Sequence, residues 1–178
     1  MRKLKREAIR FISYLIAAVA VALFSGGVEF VKETFFPKQE GQVVRVSDGD
    51  SFIVRFENKD VSFRIQGIDA PELAQKDGNW AKGQLKELIG GKIIKVKKIK
   101  KDRHDRIVGH GYLLDETDIG VEMVRRGAAW WFQRFERNNS ALKEAEQEAR
   151  SKRIGIWKKS KEPTPPWEWR SKNHNNRR

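Results

Sequence analysis

The sequence predicts an α+β fold that is mainly β: a small five-stranded Greek-key barrel of the OB type with three helices, preceded by one N-terminal hydrophobic helix. Three observations lead there. Five short runs rich in β-branched and aromatic residues occupy positions 42–46, 51–57, 61–68, 92–101 and 107–114. The first three are joined by the turn-forming clusters Ser47-Asp48-Gly49-Asp50 and Asn58-Lys59-Asp60, which makes them an antiparallel meander. One stretch of helical spacing follows the third run and two follow the fifth, an order that suits a small closed barrel.

Taken in order, Arg2, Lys3, Lys5 and Arg6 precede an uncharged stretch over residues 11–28, after which Glu29, Lys32 and Glu33 return the chain to water. This is the layout of a secretory signal or a membrane anchor. Small-x-small triplets such as Ala18-Val19-Ala20 lie inside the apolar run and not after it. That placement favours an uncleaved anchor with its basic end in the cytosol and the rest outside, at a cell surface or in a periplasm, and secreted if the segment is cleaved. Residues 1–36 are then the basic end, signal-anchor helix and linker, 37–160 the barrel domain, and 161–178 a Pro/Trp-rich, basic extension.

The first helix carries Trp80, Leu85, Leu88 and Ile89 at near-helical spacing until Gly90-Gly91 stops it. A second is expected over residues 118–126, capped by Asp118 and ended by Gly127. A third is expected over residues 140–153, started by Ser140 with Glu144 nearby and striped by Leu142, Ala145 and Ala149. The prolines at 163, 165 and 166 predict an extended tail.

At 178 residues the chain suits one domain plus appendages. Its 37 Lys+Arg against 24 Asp+Glu give a formal net charge of +13, which favours a polyanionic partner, nucleic acid first and an anionic membrane surface second. The absence of cysteine excludes disulfides and thiolate zinc sites, and three scattered histidines argue against a histidine-rich metal site. A metal here would be held by oxygen, as calcium or magnesium are.

The chemistry concentrates at residues 63–72. Alternation places Phe63, Ile65 and Gly67 on one face of a strand and Arg64 on the other, free for a ligand. Pro71 then fixes the separation of Asp69 and Glu72. A cation and two anions in so small a region suit a metal ion and a phosphate held together. Upstream, Asp48-Gly49-Asp50 is also a good turn sequence in its own right. The basic run Lys92, Lys95, Lys97 and Lys98 offers attraction for a polyanion without sequence reading, or an ordinary solvated face.

Asp48-Gly49-Asp50-Ser51, Phe63-Arg64 through Asp69-Ala70-Pro71-Glu72, Arg106 after a basic strand, Gly127-Ala128-Ala129-Trp130, and the helix from Ala145-Glu146 to Trp157 occur in that order. As an ordered set they resemble the staphylococcal nuclease-like (thermonuclease) family over about residues 41–157, in the form of a membrane-anchored bacterial member. The resemblance implies a five-stranded OB barrel and a calcium-dependent phosphodiesterase acting on DNA and RNA. By matching position it makes Asp50, Asp69 and the backbone carbonyl of Ala70 the Ca2+ ligands, Glu72 the general base, and Arg64 and Arg106 the phosphate-binding arginines. Trp130, Trp131, Phe132 and Phe135 fall where relatives place aromatics near the nucleotide pocket, with core packing the expectation for at least Trp130. One departure is His104-Asp105-Arg106, where relatives carry an aromatic and a glycine before the arginine; Asp105 is then a candidate partner that would weaken the grip of Arg106. The tail Pro165-Pro166-Trp167-Glu168-Trp169-Arg170 resembles an extension of bacterial relatives and is expected to pack back on the barrel.

The resulting expectation is a monomeric endonuclease of DNA and/or RNA with little sequence specificity and no small-molecule cofactor. A non-catalytic nucleic-acid-binding OB module and a membrane-tethered interaction protein stay open beside it.

Overall fold

A computed structural model describes residues 38–158 and 162–175. The expected hydrophobic helix over residues 11–28 lies outside them, and among the described residues no helix is long and apolar enough to cross a membrane.

The expected meander is present as β1 (Gln39–Val46), β2 (Ser51–Phe56) and β3 (Lys59–Ile65). In its register Ser51 stands opposite Arg64 and Phe52 opposite Phe63. After a helix, β5 (Ile93–Lys101) and β6 (Ile107–Tyr112) form a hairpin whose second strand joins β3 in parallel, while β5 returns to β1 and closes the barrel in the order β1-β2-β3-β6-β5. The interior is filled by the alternate residues the period of two selects: Val43, Phe52, Val54, Phe63, Ile65, Ile94 and Val96 are all buried. Phe52 and Phe63 stack with ring centroids 5.0 Å apart. Each such burial contributes about 1.5–3 kcal/mol, so the barrel interior is the rigid frame on which the polar residues at its edge are mounted.

The strand expected over 61–68 ends instead at Ile65. Gly67 takes φ 78, a left-handed conformation that turns the chain out of the barrel wall. The residues beyond it form a separate two-residue strand, β4 (Ile68–Asp69), which pairs with β7 (Trp130–Trp131). That small second sheet fixes Asp69 against Trp130 outside the barrel proper.

The three predicted helices are found as α1 (Gly78–Ile89), α2 (Ile119–Arg125) and α3 (Ser140–Ser151). Asp118 caps α2 as predicted, accepting from Val121 N. The cap of α3 is Asn139, which accepts from Leu142 N, and not Ser140. Leu85, Leu88 and Ile89 of α1 and Leu142 and Ala145 of α3 face the main core, whereas Trp130, Ala149, Ile156 and Trp157 form a smaller cluster.

The tail is not extended, contrary to expectation: Pro166–Asn175 form a fourth helix, α4. Pro166 is its first residue, where a missing N–H breaks no helical bond and the fixed φ suits the helix. Glu168 in the first turn complements the helix dipole. The expected packing of the tail on the barrel domain is observed. Trp167 stacks on Phe132 at 5.1 Å and meets Trp130 edge-on at 6.4 Å, and Gln75 Nε2 donates to Thr164 O at 2.6 Å.

Candidate active site

Two turns bring the carboxylates together. In the β1–β2 turn, Asp50 N donates to Asp48 Oδ1 at 3.0 Å, and Ser47 N and Asp48 N donate to Ser51 O. Gly49 lets this turn lie flat against the chain beyond β4: a Cβ there would stand 2.6 Å from that of Ala70 and 2.9 Å from that of Ala81. Asp50 is consequently buried, with Oδ2 accepting from Ala70 N at 2.9 Å and Oδ1 from Ser51 Oγ at 2.9 Å. Asp69, fixed by the β4–β7 pair, is fully buried.

Arg64 spans the two. Its Nη1 donates to Asp50 Oδ1 at 2.7 Å and its Nη2 to Asp69 Oδ1 at 2.8 Å. It is therefore a structural counter-ion as well as a candidate ligand, and not the free guanidinium expected from alternation alone. A second arginine completes the group. Arg170 of α4 donates from Nη2 to Asp69 Oδ2 at 2.7 Å and from Nη1 to Glu72 Oε1 at 2.6 Å.

The electrostatics record a crowded acidic centre. Burial, and next the charge of Asp50, hold the carboxyl of Asp48 up at about 6. Burial likewise raises Asp69, with Asp50 adding to the effect, although Arg170 and Arg64 act against it. For Arg64, burial disfavours the charge, but Asp50 and Asp69 outweigh it and raise its pKa. At Asp69 burial thus outweighs the two arginines. The site's donors are all oxygen, which suits a hard cation. Among the described residues no group of three or more His, Asp and Glu side chains is arranged as a metal cage, so carbonyl, water or phosphate oxygens would supply the remainder.

A cleft of about 580 Å³ opens over this group, lined by Arg64, Glu72, Arg106, Phe132, Phe135 and Arg170 among others. It brings together the three residues expected to be catalytic. Arg106 enters from the loop before β6, and its Nε donates to Asp102 Oδ2 at 2.8 Å. The partner foreseen for it, Asp105, is exposed at φ 60 and instead pairs with Lys101 at 2.6 Å. His104 is exposed at the cleft rim, within 3.2 Å of Arg103 Nε.

The other residues expected to meet nucleic acid take different places. Trp131 is 9% exposed, packs in the main core and donates Nε1 to Glu136 O at 2.9 Å, which leaves no ring face for a base. Phe132 does reach the cleft, but one of its faces is taken by Trp167. Phe135, 53% exposed, carries Lys100 Nζ at 5.1 Å from its ring centroid. Lys92, Lys95 and Lys97 do not line the cleft; Lys95 is paired with Glu116 at 2.6 Å. Register explains this: Arg64 stands beside Val108 and Val108 beside Lys100, whereas Lys95 pairs with Tyr112, four residues further along β6. Beside Arg106, Lys100 and Arg103 are basic residues of this hairpin that reach the cleft wall.

Arg170 and Asp48 were missed from sequence. Asp48 stood within the quoted Asp48-Gly49-Asp50 motif, but no local pattern says which of two turn aspartates points inward. For Arg170 the available signal was a proline at a possible helix start followed by an acid, which places the arginine one turn in.

The description "Staphylococcal nuclease homologue" matches residues 62–159. An uncharacterized endonuclease of Escherichia coli is 39% identical over 130 residues, covering 73% of this chain and 84% of that protein. A micrococcal nuclease of Shigella flexneri is 33% identical over 147 residues, covering 76% of this chain and 84% of its own. A probable staphylococcal-like nuclease of Oryza sativa subsp. japonica is 37% identical over 117 residues, which are 66% of this chain and 34% of the plant protein. With the barrel, the cleft and these matches together, the chain belongs to the staphylococcal nuclease homologue family and is a phosphodiesterase of the nuclease type.

Proposed function

We propose that this nuclease is calcium-dependent, that it hydrolyses phosphodiester bonds of DNA and/or RNA with little sequence specificity, and that its N-terminal segment anchors it to a membrane with the catalytic domain outside the cytoplasm. The observation that carries the catalytic part is the convergence of Arg64, Glu72 and Arg106 on one cleft beside the buried carboxylates of Asp50 and Asp69.

Asp50, Asp69 and the backbone carbonyl of Ala70 would hold the calcium ion, which takes about 6–8 oxygens and so keeps water or phosphate in its shell. When bound it supplies positive charge against the phosphoryl oxygens. Glu72, at the edge of the cleft, orients a water molecule and takes its proton as the water oxygen adds to phosphorus. The bond from phosphorus to the sugar oxygen then breaks, and that oxygen leaves with a proton from solvent. Arg64 and Arg106 donate to the non-bridging oxygens, where charge gathers; a planar fork meets two oxygens at once, which lysine cannot do. The basic wall of Lys100 and Arg103 attracts any phosphate backbone, whatever its sequence.

Anchoring rests on the basic end before the uncharged residues 11–28 and on the acidic return at Glu29 and Glu33. Purified protein incubated with single- and double-stranded DNA and RNA tests the catalytic part: cleavage should require calcium and stop with chelator. Salt-sensitive binding with no cleavage would instead make the cleft a binding surface. For topology, protease added to intact cells should digest the domain, and full protection would refute the outward orientation.

A further inference from the structure

Arg170 is an unusual occupant of a centre whose proposed work is to hold a divalent cation and to activate water. Its guanidinium takes both oxygens of Asp69, at 2.7 Å to Oδ2 and 3.2 Å to Oδ1, while Arg64 already donates to Oδ1. The same Nη1 donates to Glu72 Oε1 at 2.6 Å. Burial opposes its charge, but the bonds to Asp69 and Glu72 outweigh that and raise its pKa, so it stays a cation in place. In this arrangement Asp69 and Glu72 are both ion-paired with one side chain.

The two arginines on Asp69 differ in how they are held. Arg64 projects from the end of β3 in the barrel wall and spans Asp50 and Asp69. Arg170 sits in the terminal helix, 38% exposed, and reaches Asp69 from the solvent side. Its helix is seated by Trp167 on Phe132 and by Thr164 on Gln75, contacts outside the carboxylate cluster. A carboxylate whose two oxygens face guanidinium donors cannot also present both to a divalent ion, and two like charges at one carboxylate repel. Arg170 is the one able to leave without dismantling the barrel.

We propose that Arg170 is a positioning residue of the catalytic centre, holding Asp69 and Glu72 in place until a divalent cation displaces it from Asp69, so that the seating of α4 sets the affinity of the site for that cation. The proposal rests on the calcium reading of Asp50 and Asp69 above. It assigns the tail a part in the reaction cycle: with the tail seated and no metal, the carboxylate that holds the ion and the carboxylate that activates water are both tied to one arginine.

The test is calorimetric titration of the metal-free, full-length protein with calcium chloride, comparing wild type, Arg170→Gln and Arg170→Lys. Arg170→Gln should bind calcium at least about ten-fold more tightly, equivalent to about 1.4 kcal/mol, and Arg170→Lys should fall between, since an ammonium keeps the charge but cannot span both carboxylates. A purely structural role predicts the opposite sign, because a loosened site binds metal more weakly. Thermal unfolding gives a second readout: Arg170→Gln should melt lower than wild type in chelator, and saturating calcium should close the gap. If Arg170→Gln does not fold, Trp167→Ala, which unseats the helix outside the carboxylate cluster, should tighten calcium binding in the same direction. Equal or weaker calcium binding by the variants would overturn the proposal while leaving the metal reading intact. No calcium uptake by wild type or by any of the variants would overturn the metal reading itself, and the proposal with it.

Discussion

Replacing Arg64 with alanine separates what this residue does for the fold from what it does for the reaction. Its guanidinium is the shared partner of two carboxylates that are 3% and 0% exposed. Removing one member of a buried ion pair costs about 3–5 kcal/mol, because the remaining charge is left without its partner. Three features reduce that figure here. Arg64 is itself 22% exposed, Asp69 retains Arg170, and Asp50 retains the Ser51 hydroxyl and the Ala70 N–H. The expected loss is about 2–4 kcal/mol, within the 5–15 kcal/mol of a typical domain, so the variant folds but is plainly weakened. Urea unfolding at pH 7.5 in chelator, followed by the fluorescence of the buried tryptophans, measures it. Cleavage should fall by orders of magnitude as well, and adding back stability with an osmolyte should not restore it. A loss of stability below about 0.5 kcal/mol would refute the reasoning, since it would mean that the two buried carboxylates do not depend on Arg64.

Other perturbations test separate parts of the site. Glu72→Gln should lower turnover by about 10²–10⁴-fold with substrate affinity little changed; undiminished turnover would remove Glu72 from its role. Asp48→Asn should stabilise the metal-free protein by about 1–3 kcal/mol at pH 8, because burial and Asp50 hold that carboxyl at about 6 against an ordinary 3.8. The folded state therefore binds this proton more tightly than the unfolded chain, the cost of ionised Asp48 fades as pH falls through 6, and the gain from asparagine should vanish near pH 4. Trp167→Ala should expose the segment before α4 to limited proteolysis, by removing the stack on Phe132 and the edge contact with Trp130, pairs worth about 0.5–1.5 kcal/mol each.

The barrel was legible in the sequence because its strands obey a period of two: Phe52, Val54, Phe63 and Ile65 all point where alternation puts them. The gathering of Arg64, Glu72 and Arg106 was legible from the order of short motifs. The β4–β7 pair was not, since two residues carry no periodicity, yet it fixes Asp69. It also explains Trp131, whose place in that pair carries its ring into the core. The partner of Arg106 depended on the loop backbone, where Asp102 accepts from the Arg106 and His104 amides as well as the guanidinium and Asp105 turns outward. Arg170 lies 101 residues from Asp69 along the chain, and no local pattern encodes a contact that distant. The prolines before it argued for an extended tail, whereas Pro166 opens a helix.

We propose, above all, that Asp50, Asp69, Glu72, Arg64 and Arg106 form one calcium-dependent catalytic centre. The most direct measurement is the single-turnover cleavage rate of a labelled oligonucleotide by wild type and Glu72→Gln, each with calcium and with chelator. The account predicts cleavage only by wild type with calcium, with Glu72→Gln still bound to the oligonucleotide under the same conditions. Equal rates in chelator, or equal rates for the two proteins, would contradict it.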